Sequence, residues 1–346
     1  MKILVVSDAW HPQVNGVVRT YEHLADELQQ MGHTVQVIGP CSFPVTLPLP
    51  GYNEIRLTLR PYRRLARMID DFKPDHIHIA TEATLGNAAR RYALERGLDF
   101  SSAYHTHFPA YIAERLPGPL KPLSGIVVNT IIRYLRWFHA PSSALLLATD
   151  SLESQLRAWN FKAPMHRLTR GVDFNVFHPG DKTLFHDLKK PVAINVGRVA
   201  VEKGLEDFLR MDWPGSKVIV GDGPSRKHLQ KKYPDAHFVG VKKGADLAAH
   251  VRSADVFVFP SRTDTFGIVL IEAMASGLPI AGYHVMGPKD IVTQPVLGAL
   301  SDDLASAAAH ALHSPGTPQQ RHDHARTHYT WRRAAQQFEK SVFKKS

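Results

Sequence analysis

The fold is decided by the stretch SRTDTFGIVLIEAMASG, residues 261–277, which follows the short run DVFVFP at 255–260. The run at 255–260 is β-branched and aromatic, so it predicts a buried parallel strand that ends at Pro260. From Ile268 the apolar side chains recur at helical spacing, and Gly277 ends the helix. The stretch therefore predicts a strand, a polar loop and a helix, which is the repeating unit of an α/β sheet.

The start of this helix predicts an anion site. Backbone N–H groups at Gly267, Ile268 and Val269 have no partner within the helix and lie at the positive end of its dipole. Two carboxylates, Asp264 and Glu272, flank them eight residues apart. A nucleotide sugar could place its diphosphate on the N–H groups and its sugar and ribose hydroxyls on the carboxylates. An ordinary βα loop with an acidic helix cap is the alternative.

Composition limits the class of protein. With 346 residues the chain is long enough for two domains, and its 44% apolar and 21% charged content is that of a soluble globular protein. The net charge of +10 fits an anionic small substrate, an anionic membrane surface or nucleic acid, and does not choose among them. The single cysteine, Cys41, excludes an internal disulfide and suggests a reducing compartment. No signal peptide or membrane-spanning helix is expected.

The first 40 residues predict a complete βαβ unit. An apolar strand at 2–7 leads through Asn15 and Gly16, which permit positive φ and a close backbone approach, into a helix and then a strand at 35–38. The unit lacks the G-x-G-x-x-G pattern, so a nicotinamide dinucleotide site is not expected. The proline-rich segment 40–61 predicts a long irregular loop.

A histidine ends the predicted strand at 100–104. His105 at the carboxyl end of a strand would point into the crevice where open α/β sheets bind ligands. His107 follows two residues later, but no Asp, Glu or Cys at suitable spacing lies nearby, so a metal site is not expected.

Two predicted helices, at 61–72 and 126–138, are basic. The first has four arginines in or beside it: Arg60, Arg63, Arg64 and Arg67. The second carries Arg133 and Arg136 next to Trp137. The pattern favours a solvated face for the first helix and core packing with a solvated edge for the second, and it leaves membrane contact open as the alternative for both.

The second half of the chain restarts the βα pattern after a linker at 177–181. A strand at 191–198 runs into a turn at Gly197, and Arg198 and Lys203 flank the loop before the next helix. Two fixed cations near a helix N-terminus are what a diphosphate leaving group needs.

Taken in order, several of these stretches resemble the retaining nucleotide-sugar glycosyltransferases of glycosyltransferase family four, which have the GT-B fold. The resemblance covers nearly the whole chain, and the order and spacing of the stretches make it specific. They are NGVVR at 15–19, HTHFP at 105–109, GVD at 171–173, FHP at 177–179, VGRVAVEKG at 196–204, GDGP at 221–224 and the stretch at 261–277.

The resemblance implies an α/β protein of two Rossmann-like domains that face each other across a cleft. Residues 1–178 would form the acceptor-side domain and residues 179–328 the nucleotide-sugar-binding domain. The helix at 329–346 would pack back on the first domain.

The resemblance also implies roles for individual residues. His105, Arg198, Lys203 and Asp264 would act in catalysis, with His105 beside the transferred sugar and the two cations on the diphosphate. The family usually has glutamate where this chain has Asp264, so its contact with the sugar is expected to differ. The donor-binding residues would be Asn15, Gly16, Gly197, Gly240, Phe266, Gly267, Ile268, Val269 and Glu272. Glu272 would hold the ribose, and backbone groups near Gly240 would select the base. Neither a metal nor a cofactor other than the donor substrate is expected.

The expected reaction is transfer of a hexose from UDP-hexose or GDP-mannose to an acceptor hydroxyl with retention of configuration. Asp264 and the proline-rich segment resemble a subgroup of glycolipid synthases and GDP-mannose-dependent α-mannosyltransferases. A lipid acceptor such as diacylglycerol, or a membrane surface, is therefore the expected partner, and nucleic acid is not. The protein is expected in the cytoplasm or peripherally at the inner face of the cell membrane.

Other functions stay open. The acceptor could be soluble or a polysaccharide, and a more distant alternative is a non-catalytic binder of nucleotide sugars or nucleic acid. A polymerase similar to glycogen synthase is less consistent with so short a chain.

Overall fold

The computed structural model describes residues 1–13, 15–49, 52–105, 121 and 123–343. The chain divides into two compact units. Unit 1 comprises Met1–Arg170 with Trp331–Ser346, and unit 2 comprises Gly171–Thr330. The main chain therefore passes into unit 2 after Arg170 and returns after Thr330, whereas the boundaries expected from the sequence are 178 and 328.

Unit 1 is built on a six-stranded parallel sheet. The strands of this unit are β1 (Lys2–Val6), β2 (Thr34–Ile38), β3 (Thr46–Leu49), β4 (Tyr52–Thr58), β5 (His76–Ile79), β6 (Phe100–Ala103), β7 (Ala144–Leu147) and β8 (Met165–Arg167). The sheet has the order β2-β1-β5-β6-β7-β8, and all its neighbours are parallel. After β1 the next strand of the sheet, β2, lies on one side of it, whereas β5 and the later strands lie on the other side. The strand order therefore reverses between β1 and β5.

Helices cover both faces of this sheet. They include α1 (Gly16–Gln30), α2 (Tyr62–Phe72), α3 (Thr84–Glu95), α4 (Ser124–His139) and α5 (Asp150–Ala158). Consecutive residues of a strand point to opposite faces. Leu4 accordingly belongs to the buried cluster of Phe138 in α4, whereas Val5 belongs to that of Tyr21 in α1. Strands that are apolar on both faces are typical of parallel sheets, which agrees with the α/β class predicted from the sequence.

The proline-rich segment corrects one expectation. We predicted an irregular loop at 40–61, but the segment contains a 3₁₀ turn at Pro40–Ser42 and the antiparallel hairpin of β3 and β4. The hairpin is a sheet of its own, so both of its strands are edges. Pro48, opposite Arg56, is tolerated there because an edge strand can lack one N–H donor.

Unit 2 repeats the plan with a second parallel sheet. Its strands are β9 (Val192–Val196), β10 (Ser216–Val220), β11 (His237–Gly240), β12 (Val256–Phe259), β13 (Ile280–Gly282) and β14 (Gly298–Leu300), in the order β11-β10-β9-β12-β13-β14. Its helices are α6 (Leu205–Arg210), α7 (Arg226–Lys232), α8 (Gly244–Arg252), α9 (Ile268–Ala275), α10 (Pro288–Ile291), α11 (Leu304–Leu312) and α12 (Pro318–His328). The strand, loop and helix predicted around residues 255–277 are β12, the loop after it and α9.

The last helix, α13 (Trp331–Val342), belongs to unit 1. Its buried side chains Trp331 and Phe338 join the cluster that contains Tyr21. The backbone N–H and hydroxyl of Thr169 also donate to Gln337 Oε1 at 2.8 and 2.9 Å. Residues far apart in sequence thus complete one core.

Across the described ranges, no helix is both long and apolar enough to cross a membrane.

Candidate active site

The candidate donor site lies at the carboxyl edge of the unit 2 sheet, where the strand order reverses between β9 and β12. Open α/β sheets bind ligands in the crevice at such a point. The loop after β9 carries Arg198 and Lys203, and the loop after β12 carries Asp264. A hydrogen bond from Thr263 Oγ1 to the Glu202 carbonyl, at 3.4 Å, joins the two loops. The structure therefore brings the cation-bearing loop and the acidic loop to one place.

Lys203 and Asp264 form an ion pair within this site. Lys203 Nζ donates to Asp264 Oδ1 at 2.7 Å and to Oδ2 at 2.9 Å. Burial acts to raise the pKa of Asp264, but the Lys203 charge and the hydrogen bonds from Lys203 and Ser261 outweigh it and hold that pKa below its usual value. Asp264 is therefore a carboxylate at neutral pH. An ammonium has three N–H donors, so Lys203 keeps one that Asp264 does not use.

The N-terminus of α9 lies at the end of the acidic loop. Gly267 precedes the helix with a φ of 89°, and a Cβ there would lie 3.1 Å from side-chain atoms of Phe259 and Leu270. No side chain of the described residues caps this helix. The first N–H groups of α9, at Ile268 and Val269, are therefore available to an anion, supported by the helix dipole.

Three further residues of the predicted site have different surroundings. Phe266 is buried, and its ring meets the Tyr329 ring edge-on with the centroids 6.0 Å apart, so its side chain packs inside unit 2. Glu272 is buried on the second turn of α9. Arg198 is partly buried at the end of β9.

Glycines allow the strand ends of this edge to approach closely. The N–H of Gly221 donates to the Gly240 carbonyl at 2.8 Å, and a Cβ on Gly221 would lie 1.9 Å from the Gly197 oxygen. Gly240 itself has a φ of 78° at the end of β11. The predicted residues Gly197 and Gly240 thus lie along the same edge as Lys203 and Asp264, at the carboxyl ends of strands β9 and β11.

The N-terminus of α1, in unit 1, is capped by a side chain. Asn15 Oδ1 accepts hydrogen bonds from the N–H groups of Val17 and Val18, both at 3.0 Å. Asn15 has a φ of −148°, so the left-handed turn that the sequence permitted at Asn15 is not formed. Gly16 is simply the first residue of the helix.

A side chain also caps the N-terminus of α3. This helix begins at the point where the strand order of unit 1 reverses. The buried carboxylate of Asp8 accepts from the N–H groups of Leu85 at 2.8 Å and Gly86 at 3.2 Å. The hydroxyls of Thr81 and Thr84 donate to it as well, at 3.0 and 3.1 Å. A carboxylate of the chain itself therefore occupies the position where this unit would otherwise bind an anion.

His105 follows β6, where the sequence analysis placed it. Its Nε2 lies 2.8 Å from the Tyr21 hydroxyl, and its Nδ1 lies 2.8 Å from a guanidinium nitrogen of Arg170. Burial, followed by the charges of Arg170, His78 and His139, holds the pKa of His105 well below its ordinary value. The imidazole is therefore neutral at physiological pH. Residues 106–109, which complete the motif quoted above, lie outside the described residues.

Three residues of these contacts, Asp8, Tyr21 and Arg170, were not predicted from the sequence. Their roles depend on contacts across the sheet, which no local spacing predicts. A weak signal existed for Arg170, which directly precedes the GVD motif at 171–173. In the part of the chain that the structure describes, no group of three or more His, Cys, Asp or Glu side chains could hold a metal ion.

Comparison with known families identifies both halves of the chain. The model described as Glycosyltransferase Family 4 matches residues 14–176, and the model described as Glycosyl transferases group 1 matches residues 190–314. The two matches together span most of the chain.

Individual relatives agree with these families. A GDP-mannose-dependent alpha-mannosyltransferase of Corynebacterium glutamicum is 30% identical over 327 residues, which cover 87% of this chain and 77% of the relative. An alpha-monoglucosyldiacylglycerol synthase of Acholeplasma laidlawii is 26% identical over 325 residues, which cover 81% of this chain and 79% of the relative.

The fold is shared with solved structures. Sucrose-phosphate synthase of Thermosynechococcus elongatus superposes with a TM-score of 0.73 at 18% identity, covering 97% of both chains. This likeness confirms the predicted GT-B fold, and the relatives confirm the predicted family. The chain therefore belongs to the GT-B glycosyltransferases of glycosyltransferase family 4.

Proposed function

We propose that this glycosyltransferase moves a hexose from a nucleoside diphosphate sugar to an acceptor hydroxyl with retention of the anomeric configuration. The observation that carries the proposal is the uncapped N-terminus of α9 at the same sheet edge as the Lys203–Asp264 pair. Backbone N–H groups and a fixed ammonium are the donors that a diphosphate needs. The termini of α1 and α3 are filled by Asn15 and Asp8, so the donor binds on unit 2.

Charge stabilisation is the main contribution of the protein in this reaction. The bond between C1 of the sugar and the diphosphate oxygen breaks, and the acceptor oxygen bonds to C1 on the same face. The proton of the acceptor hydroxyl passes to the departing diphosphate. Arg198, Lys203 and the N–H groups at the start of α9 stabilise the charge that develops on the leaving group. This route needs neither a protein nucleophile nor a metal ion.

The two carboxylates have separate roles in the proposal. Asp264, held by Lys203, accepts hydrogen bonds from the sugar being transferred. Glu272, buried further along α9, accepts from the ribose. Gly240, with its left-handed backbone at the end of β11, lies by the nucleobase.

A nucleotide panel tests the donor and the need for a metal together. UDP, GDP and ADP are added separately to the protein in EDTA, and the melting temperature is measured. We expect one or two of them to raise it, because a ligand that binds only the folded state stabilises that state. The matching nucleotide sugar should then yield an α-linked product in EDTA. A product of inverted configuration, or turnover only after Mg²⁺ or Mn²⁺ is restored, would contradict the proposal.

A lipid acceptor is our second inference, and it rests on two observations. A relative is named as a synthase of monoglucosyldiacylglycerol. In addition, α4 exposes 67% of Ile126 and 51% of Trp137. Apolar and aromatic side chains beside cations are typical of helices that lie in a membrane interface.

The tryptophan of this surface is held in place and lies beside exposed cations. Arg133, Arg136 and Lys162 line a shallow pocket beside Trp137. The Arg90 guanidinium lies 3.8 Å from the centroid of the Trp137 ring and donates to the Trp137 carbonyl at 2.9 Å. A fixed aromatic side chain next to three cations is suited to an anionic lipid surface, which was the alternative left open for this helix.

Replacing Ile126 with aspartate should weaken binding to vesicles that contain phosphatidylglycerol by about tenfold. The physical reason is that burying an isoleucine side chain is worth about 1.5–3 kcal/mol. Co-sedimentation measures the effect. Leu98→Asp is the matched control, because Leu98 is 44% exposed and follows α3 at the amino end of β6. If the unaltered protein does not bind these vesicles, or both variants lose binding equally, a membrane-facing α4 is excluded and a soluble acceptor is favoured.

A further inference from the structure

A continuous line of hydrogen-bonded polar side chains runs through unit 1. In order it comprises Arg170, His105, Tyr21, His78, Ser101 and His76. His105 lies 2.8 Å from its neighbour on each side: its Nδ1 from the Arg170 guanidinium and its Nε2 from the Tyr21 hydroxyl. The Tyr21 hydroxyl is in turn 2.7 Å from His78 Nε2. Ser101 Oγ lies 2.7 Å from both His78 Nδ1 and His76 Nε2.

Strand geometry brings the far end of this line together. His76 and His78 are two residues apart on β5, so their side chains lie on the same face of the sheet. Ser101 is the partner of His78 in the parallel pairing of β5 with β6 and can therefore contact both imidazoles. Tyr21 reaches His78 and His105 from α1, which covers that face.

The guanidinium sets the direction of donation along the line, because it can donate hydrogen bonds and cannot accept them. His105 Nδ1 must accept, so the ring is neutral and carries its proton on Nε2. That proton is donated to Tyr21, whose own hydroxyl proton is then donated to His78 Nε2. His78 must therefore carry its proton on Nδ1, the opposite tautomer from His105.

The surrounding charges are consistent with neutral histidines. Burial holds the pKa of His78 well below its usual value and lowers that of His76 to about 4. Burial lowers the pKa of Arg170 to about 10, which still leaves it a cation at neutral pH. The acidic groups that act on the line are Glu82, on Tyr21, and Asp99, on His76.

We propose that Tyr21 and Arg170 are positioning residues that fix His105 as an uncharged ring with its proton on Nε2. The inference rests on the proposed function and on the place beside the transferred sugar that the family resemblance implies for His105. Both ring nitrogens are used inside unit 1. His105 thus serves the transfer as a fixed neutral surface and neither donates a proton to the reacting groups nor removes one from them.

The tautomers can be observed directly. Long-range ¹H–¹⁵N spectra of the ¹⁵N-histidine-labelled protein, assigned with single histidine variants, should show a protonated Nε2 for His105. His78 and His76 should show a protonated Nδ1. None of the three should titrate between pH 8 and 5.5. A His105 that titrates in this range, or carries its proton on Nδ1, would overturn the proposal.

A matched pair of tyrosine variants tests the effect on activity. Tyr21→Phe breaks the line between His105 and His78, and we expect kcat to fall about tenfold or more while the donor KM changes less than twofold. The control is Tyr104→Phe. Tyr104 is as buried as Tyr21, yet its hydroxyl has no hydrogen-bond partner among the described residues.

The outcomes separate the proposals. If Tyr21→Phe keeps its kcat within twofold of Tyr104→Phe, the positioning role is wrong. The same holds if both variants lose activity in parallel with a lower melting temperature, because the role would then be structural only. If the unaltered protein has no transferase activity, the proposed function fails, and the tautomer pattern still confirms or overturns the fixed ring.

Discussion

Replacing Lys203 with alanine is expected to lower kcat/KM by about a hundred- to a thousandfold. The ammonium is the fixed charge that the structure places beside Asp264, with one N–H left for a departing diphosphate. Removing one donor that stabilises developing charge costs about 2–4 kcal/mol of transition-state free energy. Steady-state kinetics with the donor found in the nucleotide panel measures the loss. A kcat/KM within about threefold of the unaltered protein, less than about 1 kcal/mol, would contradict the role.

The Asp264 partner gives this experiment its decisive control. If Lys203 served only to neutralise Asp264, then adding Lys203→Ala to Asp264→Asn should cause no further loss of activity. If Lys203 binds the diphosphate, the double variant should be slower than Asp264→Asn by about the factor that separates Lys203→Ala from the unaltered protein. Lys189→Ala controls for the loss of a cation as such, because Lys189 is exposed and precedes β9 at the opposite edge of the sheet.

Replacing Phe338 with alanine is expected to lower the free energy of unfolding of unit 1 by about 3–5 kcal/mol, the usual cost of removing a buried phenylalanine side chain. Phe338 is fully buried in α13 and meets the His78 ring edge-on, with the centroids 5.0 Å apart. The measurement is hydrogen exchange of individual peptides during unfolding in urea. It shows which of the two units has the lower free energy of unfolding in the variant.

Phe208→Ala is the matched variant for unit 2. Phe208 is equally buried, and it lies in the unit 2 cluster with Ile219 and Val258. We expect this variant to reduce protection of residues 171–330 and to leave β1 and α1 protected. Equal loss of protection in both units from Phe338→Ala would mean that the two units do not unfold separately.

Strands such as β1, β7 and β9 could be predicted because each is a short apolar run between turn residues. β12 is the clearest case, since four consecutive buried residues, Val256–Phe259, end at a proline. The strand β8 contains a histidine and an arginine and was not predicted. The β3–β4 hairpin was missed because its prolines suggested an irregular loop. That inference ignored the fact that a two-stranded sheet has only edge strands.

The candidate site was predictable where it depends on local chain geometry. A glycine before an apolar helix indicated the N-terminus of α9, and the structure has Gly267 there with positive φ. The pairing of Lys203 with Asp264 was not predictable, because their side chains meet across two loops that are 61 residues apart. Asn15 was predicted to bind the donor, and this stays a prediction; the structure adds that its side chain caps α1.

The line from Arg170 to His76 had a partial signal in the sequence. Histidines two apart in a strand share a face, so His76 and His78 could have been paired from the sequence. Tyr21 and Ser101 could not be assigned to them without the order of β1, β5 and β6. Long-range contacts of this kind follow from sheet topology, which the sequence suggests only at the level of the fold.

The discontinuity of unit 1 has a consequence for how the protein is made. A ribosome releases residues 171–330 as one unbroken segment, so unit 2 can reach its native state while synthesis continues. The first 170 residues must wait, because the face of their sheet that α13 covers stays open until Phe338 has emerged. The part of the protein made first is therefore finished last, and during that interval its uncovered apolar face is the natural target for chaperones.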